Sequence, residues 1–137
     1  AVQRRSAVRM FEKLNNTARR SRWFGNITGH VHQLCRLADA VGSAQPRYEG
    51  VQIVPLEKIV GTENRSDEFD ANFRPVEDHI ENRWVSLAAA YLRGVSLPPI
   101  ELLRVGEEYY VRDGHHRVSV YRAYNQSMVE AIVTAME

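Results

Sequence analysis

One junction constrains this chain more than any other feature. Residues 109–112 (Tyr-Tyr-Val-Arg) read as a β-strand, Asp113-Gly114 ends it abruptly, and His115-His116-Arg117 opens a helix at once. Glycine supplies the backbone freedom that so tight a turn needs. Val118, Val120, Tyr121 and Tyr124 read as the inward side of that helix, and Asn125 can close it.

The surrounding pattern agrees. Residues 51–54 alternate and are β-branched, so they predict a strand ended by Pro55. Residues 56–59 predict a short turn, followed by Val60-Gly61, and residues 62–74 a polar surface loop with scattered Phe. Pro75 suits the first turn of a long helix whose apolar face is Val76, Ile80, Trp84, Leu87, Ala88, Tyr91 and Leu92, ended by Gly94. Leu97-Pro98-Pro99 leads into a strand over 100–105, Gly106-Glu107 turns it, and 129–134 is a last strand. Strand, loop, helix, hairpin, helix, strand is an α+β order, a small mixed sheet packed by helices.

The first fifty residues read differently. A helix is predicted over 5–20 from Ala7, Met10, Phe11, Leu14 and Ala18, a break over 21–29, and a second helix from Thr28 carrying Val31, Leu34, Cys35, Ala38 and Val41 up to Gly42. Residues 43–50 read as a linker. The 137 residues carry a net charge of only +1, yet residues 1–50 hold nine Lys and Arg against three acids, and residues 51–137 nine against fourteen. This predicts a basic helical extension, 1–50, on an acidic domain, 51–137. Its arginines can neutralise phosphates on DNA, or form the solvated face of a helix packed on the domain or on a second copy in a homodimer. Packing is the reading favoured here, because Met10, Phe11 and Leu14 need cover. The single cysteine, Cys35, excludes an internal disulfide and reads as a buried small hydrophobe. No apolar run approaches membrane-spanning length and no secretory pattern is present, so a cytoplasmic location is expected.

At the junction, orphan N–H groups, the helix dipole, two imidazoles and a guanidinium concentrate donors suited to phosphate oxygens. Asp113 can cap the helix, orient a histidine or hold a Mg²⁺ that travels with a nucleotide. The plain alternative is a turn with polar residues at a helix start. Adjacent helical histidines are splayed by about 100°, which disfavours a shared metal.

With these residues in view, residues 51–134 resemble the ParB N-terminal domain and sulfiredoxin superfamily. The resemblance rests on Val54-Pro55-Leu56-Glu57-Lys58-Ile59, on Arg65, on the long helix with Gly94, on Leu97-Pro98-Pro99-Ile100-Glu101-Leu102, and on Asp113-Gly114-His115-His116-Arg117. It implies a compact α+β fold with a nucleotide bound at the turn. Gly114 and Arg117 match the ParB turn Gly-Glu-Arg-Arg, which contacts CTP phosphates. Gly114, His116 and Arg117 match the sulfiredoxin turn Gly-Cys-His-Arg, but His115 stands where the catalytic thiol belongs. Asp113, Gly114, His115 and Arg117 match the Asp-Gly-His-Thr-Arg turn of free-serine kinases, the nearest of the three.

The expected function is therefore a nucleotide- or phosphate-binding domain, extending to a nucleotide-dependent phosphotransferase or hydrolase. The alternatives are a DNA-binding, ParB-like nuclease module and a binding-only regulatory domain. Gly114, His115, His116, Arg117 and Arg65 are the expected ligand-binding residues for CTP, ATP or ADP with Mg²⁺. Asp113, His116 and Glu63 are the catalytic candidates, and Asp113 also the metal candidate. Glu63 is either a general base or a solvated loop acid. His79 is expected on the surface, and His30 and His32 as structural residues.

Overall fold

The computed structural model describes residues 2–28, 34–37, 44–63 and 67–137, with 24–28 and 35 described by backbone alone. The elements are α1 (Val2–Thr28), β1 (Cys35–Arg36), β2 (Pro46–Pro55), β3 (Ile59–Thr62), α2 (Glu81–Leu92), β4 (Ile100–Val105), β5 (Glu108–Asp113), α3 (His115–Ala123) and β6 (Met128–Met136). They form the expected α+β architecture around a six-stranded mixed sheet in the order β1-β3-β5-β4-β6-β2. β1 with β3, β3 with β5, and β4 with β6 are parallel, while β4 with β5 and β2 with β6 are antiparallel.

Strand alternation sends neighbouring residues to opposite faces. Leu102 joins the large core under the helices, and Leu103 joins a smaller cluster with Tyr110 and Leu37. Trp84 of α2 ties three helices together. Its ring meets the Phe11 ring of α1 edge-on at 5.7 Å, and its Nε1–H donates to Ser119 Oγ of α3 at 2.8 Å. Both rings are essentially fully buried, and each contributes about 1.5–3 kcal/mol.

Several expectations are corrected. α1 does not break at residue 21 but continues through Gly25 to Thr28, since one glycine costs a helix only about 1 kcal/mol. The second helix is not formed where it is described: Cys35–Arg36 is a short strand parallel to β3. The remainder of that stretch, with His30, His32 and Gly42, lies outside the described residues, as do Arg65 and the Cys35 side chain. Residues 46–50, read as linker, are the first half of β2 and pair with β6, a distant partner that local composition cannot announce. The boundary read at residue 50 thus falls within a strand. Gly50, at φ +80°, accommodates the register shift there.

The 62–74 stretch is not a surface loop throughout. Thr62 completes β3, and Phe69, Asp70 and Phe73 are buried. Asp70 accepts the N–H groups of Asn72 and Arg74 and the Arg74 guanidinium, curling this segment inward. Pro75 is consequently drawn into a bridge with Phe69, and the long helix starts later, at Glu81, after a 3-10 turn. The basic helix packs on the α2 side of the molecule, where Arg19 pairs with Asp78 at 2.8 Å and Arg22 with Glu77 at 3.5 Å.

Candidate functional site

β5 ends at Asp113, and Gly114 takes φ 106° and ψ 29°. Only glycine adopts that backbone without strain. A Cβ there would lie 2.7 Å from Ile100 Cγ2 and 3.1 Å from Arg117 Nη2, so space demands glycine as well. α3 begins at His115 with no side-chain cap, and Val118 N–H donates to Gly114 O at 2.9 Å as its first helical bond. The positive end of α3 is therefore presented where residues 114–117 line a cleft.

The cleft has a volume of about 520 Å³. Residues 112–117 form one wall; Arg83, Ser86, Leu87 and Ala90 of α2 form the other. That second set follows i, i+3, i+4, i+7 spacing and so is one helix face. Arg83 and Ser86 are exposed. Among the described residues Arg83 has no ion pair, while Ser86 Oγ accepts from Arg4 Nη1 at 3.3 Å.

Each expected site residue has a definite place. Arg117 Nη1 donates to Pro98 O at 2.7 Å and Pro99 O at 2.8 Å, and Nη2 to Asp113 Oδ2 at 3.2 Å. The guanidinium thus braces the Pro-Pro bend against the junction, with Nε–H and one Nη2–H left for other acceptors. Asp113 is largely exposed. His115 is buried with Nε2 2.6 Å from Thr62 Oγ1 of β3. His116 is buried with its ring edge-on to Phe69 at 5.2 Å. Both histidines shape the wall more than they protrude from it. Glu63 follows β3 and is joined to the end of β5, its N–H donating to Val111 O at 2.9 Å. Its Oε2 accepts from Arg112 Nε at 3.1 Å, so Glu63 stands beside the cleft through Arg112 rather than in its lining. One turn below, burial raises the Tyr121 phenol above its ordinary value, against the opposing Arg117 charge, and keeps it neutral.

Two of the three arginines of the cleft have acid partners, Arg112 with Glu63 at 3.1 Å and Arg117 with Asp113 at 3.2 Å. Arg83, Arg112 and Arg117 line it with Asp113 as the carboxylate among the described residues. No group of three His, Cys, Asp or Glu among the described residues is placed to hold a metal ion. Asp113 alone fits a Mg²⁺ brought in on a nucleotide, which needs one or two protein carboxylates. Sequence reasoning missed Arg83, Ser86 and Arg112. The signal for the first two was present: they stand one and two positions off the apolar stripe of α2, at helical spacing with Leu87 and Ala90. His79 is exposed as expected, beside Glu68 at 3.3 Å. No helix among the described residues is long and apolar enough to cross a membrane.

No protein-family model matches the sequence, and no curated protein matches it. Among solved structures, the crystal structure of sulfiredoxin from Arabidopsis thaliana is similar, at 20% identity, with a TM-score of 0.44, over 62% of this chain and 84% of that one. A likeness of that size is one of fold alone.

Proposed function

We propose that this chain binds a phosphate-bearing ligand, a nucleotide before others, in the cleft between α2 and the 113–117 junction. The observation that carries the reading is the convergence on one cleft of the positive end of α3 and an exposed Arg83 that has no ion pair among the described residues. Gly114 lets an oxyanion approach the backbone. Arg83 and Arg112 supply charge-assisted hydrogen bonds, and Ser86 a hydroxyl. Arg117 holds the junction in shape while offering its remaining donors. Leu87 and Ala90 give a base or sugar an apolar wall. His115 and His116 back the phosphate site, and Arg65 keeps its reading as a clamp on sequence grounds. With CTP, ATP or ADP the accompanying Mg²⁺ finds Asp113 as its protein ligand.

Turnover is the further step of this reading. Phosphoryl transfer depends mainly on positioning and electrostatic stabilisation, which the cleft offers. Asp113, His116 and Glu63 are its proposed proton-handling and metal-handling groups, with Glu63 acting once released by Arg112. The nuclease alternative has less support, because two-metal hydrolysis wants several carboxylates on the ions.

Thermal shift with CTP, ATP, ADP and AMP, each with and without Mg²⁺, tests the reading. At least one nucleotide is expected to raise the Tm, and Arg83→Ala is expected to lose most of that rise while keeping the unliganded Tm. An absence of any shift, or an equal shift in the variant, would overturn the proposal. Product analysis after incubation separates a phosphotransferase or hydrolase from a binding-only domain.

A further inference from the structure

The arginines of α1 fall into two groups. Near its C-terminal end Arg19 is neutralised by Asp78 and Arg22 by Glu77, while Arg20 donates to Asn16 O within the helix. Those near its N-terminal end differ. Arg5 and Arg9 are exposed and have no ion pair among the described residues, and Arg4 reaches only the Ser86 hydroxyl. Arg4, Arg5, Val8, Arg9 and Glu12 line a second hollow, of about 440 Å³. Arg4 belongs to that hollow and Ser86 to the cleft, so their 3.3 Å contact joins the two. Arg83, three residues before Ser86 on the same face of α2, extends the join into the cleft.

We infer that the cleft and the N-terminal half of α1 form one continuous site for single-stranded nucleic acid, with a terminal phosphate or nucleotide seated in the cleft and the following phosphates running along α1. The inference rests on the cleft being a phosphate site. Charge complementarity carries it: four guanidinium groups, of Arg83, Arg4, Arg5 and Arg9, follow one another with no ion pair among the described residues, against the single acid Glu12 in the lining of the hollow. Arg5 and Arg9 lie one turn apart, about 6 Å along the axis, a separation neighbouring phosphates of one extended strand can match. A cleft of about 520 Å³ is the size of a small-molecule site, which favours the end of a single strand over a duplex.

Fluorescence anisotropy with a 3′-labelled, 5′-phosphorylated oligothymidylate tests this, with ADP thermal shift on the same proteins. The double variant Arg5→Gln/Arg9→Gln is expected to bind the oligonucleotide about tenfold more weakly and to lower the salt slope by about 1.4, two phosphates at about 0.7 each. Its ADP shift is expected to be unchanged. Arg83→Ala is expected to weaken both. Equal oligonucleotide binding by the double variant overturns the inference, as does tighter binding of the corresponding duplex or equal competition by polyglutamate. A nucleotide shift without oligonucleotide binding overturns the inference alone, whereas the absence of a shift with any of CTP, ATP, ADP and AMP in the wild type overturns the nucleotide reading beneath it.

Discussion

The two ends of the β4–β5 hairpin both gather arginines, and the chain treats them in opposite ways. At the turn end, Arg104 donates to both oxygens of Glu49, at 3.0 and 2.9 Å, while Arg47 and Glu137 complete the group. The hydrogen bond from Arg104, ahead of the coulombic effects, holds the Glu49 carboxyl below its ordinary 4.5, and Glu49 in turn raises Arg104. At the cleft end, Arg117 spends Nη1 on the Pro98 and Pro99 carbonyls and Nη2 on Asp113, Arg112 has Glu63, and Arg83 has no acid among the described residues. One end is a lock that neutralises itself. The other leaves positive charge beside a helix N-terminus. Arginine content alone does not separate a structural cluster from a ligand site; the pairing does.

Substitutions at four positions would sharpen or break that contrast. The largest effect is expected from Gly114→Ala, about 3 kcal/mol, from a left-handed backbone and contact with Ile100 together. Urea unfolding measures it, and a loss below about 1 kcal/mol would remove the steric argument for the junction. Arg117→Ala is expected to cost about 2 kcal/mol, because two carbonyls lose a charged donor. Arg117→Lys should recover little of it, since an ammonium cannot reproduce the fork.

At the opposite end, Glu49→Gln tests the lock through pH. A carboxylate with a lowered folded pKa contributes stability above its unfolded value, and that stability fades as pH falls through the folded one. The wild type should therefore lose stability below about 4.5 more steeply than Glu49→Gln, in unfolding midpoints followed across the acid range. Parallel curves would mean the cluster is idle. The smallest stability change is expected from Arg83→Ala, within about 0.5 kcal/mol. Its nucleotide affinity should nevertheless fall about tenfold by calorimetry, the signature of a cation held for a ligand.

The junction was legible because strand alternation, glycine and helical spacing change within a few residues at 113–115. The β4–β5 hairpin was legible for the same reason, and its first strand falls at the expected residues 100–105. What escaped was whatever a distant partner decides. Residues 46–50 carry a proline and a glycine and look like a linker until β6 supplies their hydrogen bonds. Asp70 looks like one more loop acid until Arg74 and two backbone N–H groups close on it. At the site, sequence could nominate Arg117 but not its acceptors, which are carbonyls of the Pro-Pro bend. Arg83 was concealed by the habit of reading a helix for its apolar stripe and passing over the polar residues beside it.

β6 lies between β4 and β2, bonded to one in parallel and to the other in antiparallel fashion. The outermost pair joins Pro46 to Met136. During synthesis, then, the edge strand has to wait for nearly all the rest of this sequence before its hydrogen-bonding partner exists. Through that interval Tyr48, Val51 and Ile53, still exposed in the finished fold, belong to a strand with nothing beside it. The same pairing that closes the sheet makes its formation a late, long-range event, slow by the measure of contact order and most open to unwanted pairing with other chains.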